Sequence, residues 1–290
     1  MKQVPFYRAL IYFPILLFSC THKFDGQNGT ETIYYEGTET VHQIIEYKEG
    51  KRNGLYQEFY QNGNIKARQN FVNDLPDDTS FFYHENGKIS NYQINKNGQK
   101  EGCWKKFNKE GKLFSEICFK NGVFDGPSII YTYKTLRIQE RRNYWNGMRT
   151  GKQEDYYYSG KPKSVTYFFN NWECLGTEEW YESGEKVNND FKISIHEQNQ
   201  LQLRNTLTYI ISLENPQPDD RVYETSGKDT GRIVNTIRNL ERVGDHFVLE
   251  YVVGQGGFVM EKVKLAAFRK TKMGNTFIKT TSFNAAGNNY

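Results

Sequence analysis

The 290-residue chain carries a formal charge of only +4, and two of those cations, Lys2 and Arg8, fall within its first ten residues. Without them the balance is +2, far from the concentrated basic face that nucleic-acid binding needs, so that class of partner is excluded. The 21 Tyr, 20 Phe and 25 Gly, set against 7 Pro and 4 Met, favour strands and tight turns over helices.

Residues 1–19 have the layout of an export signal: Lys2 and Arg8, then the uncharged apolar run Ala9–Phe18. Ten residues as a helix reach about 15 Å, half of a bilayer core, so the run is too short for a stable span. It closes on Leu17-Phe18-Ser19-Cys20, which resembles the bacterial lipobox, with Phe18 where a small residue is more usual. The resemblance implies a diacylglycerol thioether on Cys20, palmitate-type acyl chains and a membrane-anchored protein of the cell envelope, facing the periplasm or the cell surface. An ordinary secretory signal ending near a cysteine is the alternative. Residues 20–28 are polar and suit a flexible tether.

Beyond the tether the sequence is periodic. Glycines recur at 63, 87 and 111, Thr135 holds the next slot, and Gly160 and Gly184 continue. A second series runs Gly54, Asp78, Gly102, Gly126, Gly151, Gly176, each followed five residues later by an aromatic: Phe59, Tyr83, Phe107, Tyr131, Tyr156, Tyr181. Gly29 with Tyr34 is an earlier, degenerate copy. Asn-Gly and Glu-Gly pairs between copies supply the positive φ of hairpin turns. Each unit therefore reads as two strands with a tight turn at either end, joined into an antiparallel meander over residues 29–187. Simple alternation puts Phe59, Ile65 and Phe71 on one face, and likewise Phe107, Leu113 and Phe119. The same register puts Cys103 and Cys118 on opposite faces, against a bridge; with Cys174 they read as small buried hydrophobes.

The segments 54–63 (GLYQEFYQNG), 102–111 (GCWKKFNKEG) and 176–184 (GTEEWYESG) resemble the variant MORN repeat, the type found in YwqK-family antitoxin-like proteins. The departures are Asp77-Asp78 in a glycine slot, Asn95 in an aromatic slot, and residues 131–135 (YTYKT) without a turn glycine, where looser or longer turns are expected.

From Asn188 the pattern changes to longer alternating runs, such as Leu207, Tyr209, Ile211, Leu213 and Phe247, Leu249, Tyr251, Val253. About seven strands in residues 188–290 suit a β-sandwich of immunoglobulin-like type with its topology open, and a core against which the last hairpin can dock. The fold class is thus all-β: a hairpin-repeat sheet followed by a small sandwich.

Catalytic and metal motifs fail one by one. Gly254-Gln255-Gly256-Gly257 reads as a wide hairpin turn, and Ser226–Thr230 as a turn, rather than as phosphate loops. Asp77-Asp78 and Asp219-Asp220, beside Pro76 and Pro218, read as solvated turns. His22, His42, His84, His196 and His246 show no metal-ligand spacing, and no cofactor is expected. The sheet itself remains. Its aromatic face must curl into a groove or meet a partner, and Trp104, Trp145, Trp172 and Trp180 are the candidate exposed anchors, against the alternative that they pack hairpins together. The expected function is a membrane-anchored, non-enzymatic scaffold recognising a protein or envelope glycan. An antitoxin or immunity protein, or an envelope hydrolase with its site in the C-terminal segment, are the alternatives.

Overall fold

The computed structural model describes residues 25–227 and 231–290. The export signal, Cys20 and most of the Ser226–Thr230 turn lie outside them.

The meander begins with β1 (Gly29–Tyr34), β2 (Val41–Lys48), β3 (Lys51–Phe59), β4 (Ile65–Val72) and β5 (Leu75–Tyr83). It continues through β6 (Ile89–Lys96), β7 (Gln99–Phe107), β8 (Leu113–Lys120), β9 (Val123–Tyr131) and β10 (Ile138–Trp145). It closes with β11 (Met148–Arg149), β12 (Gly151–Tyr156), β13 (Pro162–Phe169), β14 (Trp172–Glu173) and β15 (Glu178–Glu179). All belong to one antiparallel sheet, in which each strand from β1 to β10 pairs with the next.

One residue in each hairpin breaks the simple alternation. Phe107 faces Leu113 but Lys106 faces Ser115, leaving Phe114 as a bulge, and the same shift occurs at Glu58/Phe59 and Phe82/Tyr83. Past a bulge every side chain changes face relative to the straight register. Two expectations fail for this reason. Cys103 and Cys118 are direct cross-strand partners and form a disulfide. Phe107 and Phe119 lie on opposite faces, Phe107 stacked on Tyr92 at 6.0 Å and Phe119 against Trp104 at 6.2 Å. Cys174 is free and buried, as expected.

The second glycine series marks points where a strand takes positive φ and an aromatic covers it from the neighbouring strand. Gly54 faces Phe71, Gly102 faces Phe119, Gly126 faces Tyr144 and Gly151 faces Phe168. A ring across from a glycine replaces the apolar cover that its missing side chain cannot give. In the second copy both members change together: Asp78, at φ 62, faces Asn95, and Asn95 is buried with its Nδ2 donating to Ser80 Oγ at 3.2 Å. Asp77 lies within β5 rather than in a solvated turn. The turn after Tyr131 is one residue longer than its counterparts, with Leu136 at φ 55.

The inner face closes on itself. Ala67, Ser80, Ser115, Ser128 and Ser164 are all buried, with longer side chains folded over them: Gln69 Nε2 donates to Ser80 Oγ, and Ser164 Oγ donates to Asp155 Oδ2.

Eight further strands form two four-stranded sheets. The first four are β16 (Ile193–Gln200), β17 (Thr206–Leu213), β18 (Arg221–Thr225) and β19 (Thr236–Asn239). The others are β20 (Glu241–Val243), β21 (His246–Val252), β22 (Phe258–Lys270) and β23 (Thr276–Asn288). One sheet runs β16-β17-β21-β20 and the other β19-β18-β22-β23. Lettered in chain order this is A-B-E-D facing C′-C-F-G, the immunoglobulin arrangement. Leu207, Tyr209, Ile211, Val222, Leu249 and Leu265 fill its core. Gly254–Gly257 crosses from one sheet to the other, so it is not a hairpin turn. Asp220 is buried, not solvated, and accepts two hydrogen bonds from Arg269, at 2.9 and 2.7 Å.

The repeat sheet meets the sandwich through a buried carboxylate. Glu179 Oε1 accepts from Thr271 Oγ1 and Asn275 Nδ2, both at 2.7 Å, while Oε2 accepts from Asn189 Nδ2 at 2.9 Å. Thr177 Oγ1 donates to the Thr276 carbonyl, and the Arg232 guanidinium lies over the Tyr167 ring.

Candidate interaction surface

The two rims of the sheet are built differently. On one, longer turns are latched from copy to copy by the residue that follows the aromatic slot. Tyr35 Oη donates to the Phe59 carbonyl, Tyr60 Oη to Tyr83, His84 Nε2 to Phe107 and Tyr157 Oη to Trp180, at 2.6–2.9 Å. These residues are absent from the sequence-based candidates, although Tyr35, Tyr60 and His84 follow one another at the repeat length, each just after an aromatic slot.

The other rim is a row of two-residue tips: Glu49-Gly50, Asn73-Asp74, Asn97-Gly98, Asn121-Gly122, Asn146-Gly147 and Asn170-Asn171. Both residues of every tip have positive φ, as type I′ turns require. The tips are stitched together. Gly98, Gly122 and Gly147 N–H groups donate to the carbonyls of Pro76, Lys100 and Phe124 in the preceding copy. Asp77, Glu101 and Asp125 carboxylates accept from the tip amides of Asn97, Asn121 and Asn146, which gives Asp77 a structural task.

Flanking the tips on the outer face is one residue pair per copy: Lys48/Lys51, Val72/Leu75, Lys96/Gln99, Lys120/Val123, Trp145/Met148 and Phe169/Trp172. The columns are continuous. The side chains of Leu75, Gln99 and Val123 lie 3.1, 3.9 and 3.8 Å from where a Cβ would stand on the next tip glycine. Most of the row is exposed, from 41 % at Val123 to 58 % at Trp145 and 77 % at Trp172. On the inner side of the same tips cations are already engaged, with Arg52 over Phe71, Lys100 over Phe119 and Arg149 over Phe168, at 4.0–4.8 Å.

Of the four tryptophans, then, the structure places Trp145 and Trp172 together on this exposed row. Trp104 is half-buried on the inner face, its Nε1 donating to Asn91 Oδ1 at 3.1 Å with Lys100 and Lys106 over its ring. Trp180 is half-buried beside the junction, with Lys186 over its ring. Both pack hairpins.

Among the described residues, the group with spacing for a metal ion is Cys103, Glu116 and Cys118, but both sulfurs are in the disulfide and Glu116 pairs with Lys105 at 3.5 Å. A cleft of about 550 Å³ at the junction beside Gly176, Lys186 and Arg232 is broad and open.

Residues 52–73 and 100–121 match the family model described as the MORN repeat variant. The chain carries variant MORN repeats. The two matched stretches coincide with β3–β4 and β7–β8, which share with β12–β13 a Gly–Phe pair and a cation over that phenylalanine. The other copies in the sheet keep the tips, and two of them vary the pair, to Asp78–Asn95 and Gly126–Tyr144. MORN repeats commonly serve as binding or scaffold modules. No curated protein matches the chain.

Proposed function

We propose that the chain is a lipid-anchored, non-enzymatic scaffold of the cell envelope that makes its macromolecular contacts through the tip row. The observation that carries this reading is the exposure of Trp145, Phe169 and Trp172 in line on one rim, at 58 %, 46 % and 77 %. Single exposed apolar residues are ordinary on a protein surface, but a contiguous aromatic line is a contact site. A flat row suits an extended partner surface better than a small molecule, which needs a concave pocket. The lipobox-like Leu17–Cys20 and the Cys103–Cys118 bridge support export to an oxidising compartment.

Site-specific photo-crosslinking in cells tests the reading. A photoreactive residue at 172 should give partner adducts, and one at Leu203, still more exposed on the sandwich, should not. Adducts from 203 alone would move the contact surface to the C-terminal region.

A further inference from the structure

Because the hairpins are copies, each shows what its neighbours need at a given position. Cys103 and Cys118 face each other across β7 and β8, and Glu116 stands two residues before Cys118, on the same face and opposite Lys105. In the first copy the same three places hold Leu55, Asn70 and Arg68, and in the second Thr79, Ile94 and Tyr92. Further on, the cysteine pair is replaced by Pro127 with Asn143 and by Lys152 with Tyr167. The fold therefore asks for neither sulfur nor carboxylate there. Glu116 meets Lys105 at 3.5 Å, a partly exposed ion pair of the kind that adds little stability.

The trio has the chemistry and spacing of a metal site. Two Sγ atoms and a carboxylate oxygen lie within 4.8 Å of one another. A tetrahedral zinc ion holds thiolates at ~2.3 Å and a carboxylate at ~2.0 Å, which sets its donors roughly 3.5–3.8 Å apart. Opening the S–S bond and turning the two cysteines about χ1 reaches that spacing with both strands left in place. Cys118 is buried and the other two residues are half-buried, so thiolates here are partly dry and gain from a neutralising cation. Two thiolates and Glu116 around a divalent ion leave one negative charge in excess, which the Lys105 ammonium balances while orienting the carboxylate. Gly126 keeps the flank of Cys118 clear, since a Cβ there would stand 3.4 Å from Cys118 Cβ, and a water has room to complete the four donors.

We propose that, once the bridge is reduced, Cys103, Cys118 and Glu116 bind a zinc-type divalent ion, so that the third repeat exchanges a disulfide for a metal. A dithiol supplies the two electrons and two protons that open the S–S bond, and leaves as its own disulfide. Metal binding then releases the two thiol protons to solvent. Reoxidation by a disulfide expels the ion, because the same two sulfurs cannot hold both bonds. The site is independent of the tip row and of the Cys20 anchor.

The test uses the full chain, reduced with dithiothreitol, freed of it without air, and titrated with Co2+ and then Zn2+. Reduced protein should take up one equivalent of Co2+ with sulfur-to-cobalt charge-transfer absorption and the intense visible bands of a tetrahedral site. Zn2+ should displace the cobalt, and the oxidised protein should show neither signal. Cys174→Ser should bind as the parent does, and Cys103→Ser should not. Glu116→Gln should weaken Zn2+ binding by at least about tenfold while the bridge still forms in air. No charge-transfer band in the reduced parent overturns the proposal, as does full binding by Cys103→Ser or unchanged affinity in Glu116→Gln. Circular dichroism of each sample reports whether the strands persist; their loss on reduction, with no recovery when Zn2+ is added, overturns it as well.

Discussion

Cys103 and Cys118 stand opposite each other on β7 and β8 and are joined, and the bulge at Phe114 is what brings their side chains to one face. The bridge closes a loop with a sequence separation of 15. Loop entropy of that size corresponds to about 3 kcal/mol. Changing both to Ala should lower stability by about 2–3 kcal/mol in urea melts. In the unreduced, denatured protein Cys174 should react with a thiol reagent while Cys103 and Cys118 do not; reaction at all three would show that the bridge does not form.

Tyr60 links two copies through one hydrogen bond of 2.8 Å to the Tyr83 carbonyl. Tyr60→Phe should cost about 1 kcal/mol, the usual worth of such a bond, with amide exchange accelerated around Tyr83. Exchange that is unchanged there would leave the latch without a stabilising role.

Asp78 and Asn95 replace the Gly–aromatic pair of the neighbouring copies. Asp78→Gly removes a residue held at φ 62, where a non-glycine residue costs up to ~1–2 kcal/mol. Asn95→Phe alone should destabilise, because the ring would lie against a carboxylate. The double variant should be more stable than the two single effects added together. A coupling near zero in this cycle would mean that the two positions vary independently.

Repeat length, tip positions and the later strands were legible because each follows from something periodic: Asn-Gly needs positive φ, and alternation of Leu207, Tyr209, Ile211 and Leu213 needs a half-buried strand. The faces of the repeat strands were not legible. Phe114 is as apolar as its neighbours, so nothing in the pattern marks it as the extra residue, and one unmarked residue inverts everything beyond it. The tip row escaped notice for a different reason. Its positions repeat at 24–25 residues, but their occupants change from Lys to Val to Trp, so only the backbone register reveals the line. Exposure alone separates Trp172 from Trp104.

Burial pushes the Tyr56 phenol up to about 12, and the neighbouring Glu58 carboxylate adds to the shift. A raised value in the fold means that the stability contributed is complete below pH ~10, the free-phenol value, and is lost as pH rises from there to 12. Tyr56→Phe removes the titrating group, so stability measured at pH 9 and 11.5 should fall less in the variant. An identical fall in both proteins would assign the alkaline loss to other groups.

Glu179 is fully buried with three donors and joins the sheet to the sandwich. Glu179→Ala strips those donors of their acceptor, at a cost of about 3 kcal/mol or more. The sandwich has its own core, so the variant should show two separated calorimetric transitions and faster proteolysis between Lys186 and Phe191. A single sharp transition in the variant would mean that the two regions share one core.

Because neighbours in space are neighbours in sequence from β1 to β10, a load applied through the N-terminal end would act on the outermost strand first. Strands pulled sideways break their hydrogen bonds in succession, so the sheet would open like a zip, each repeat releasing on the order of 80 Å of chain. The third repeat is the exception. Its disulfide withholds the loop between Cys103 and Cys118, leaving a short-stroke link in an otherwise uniform spring.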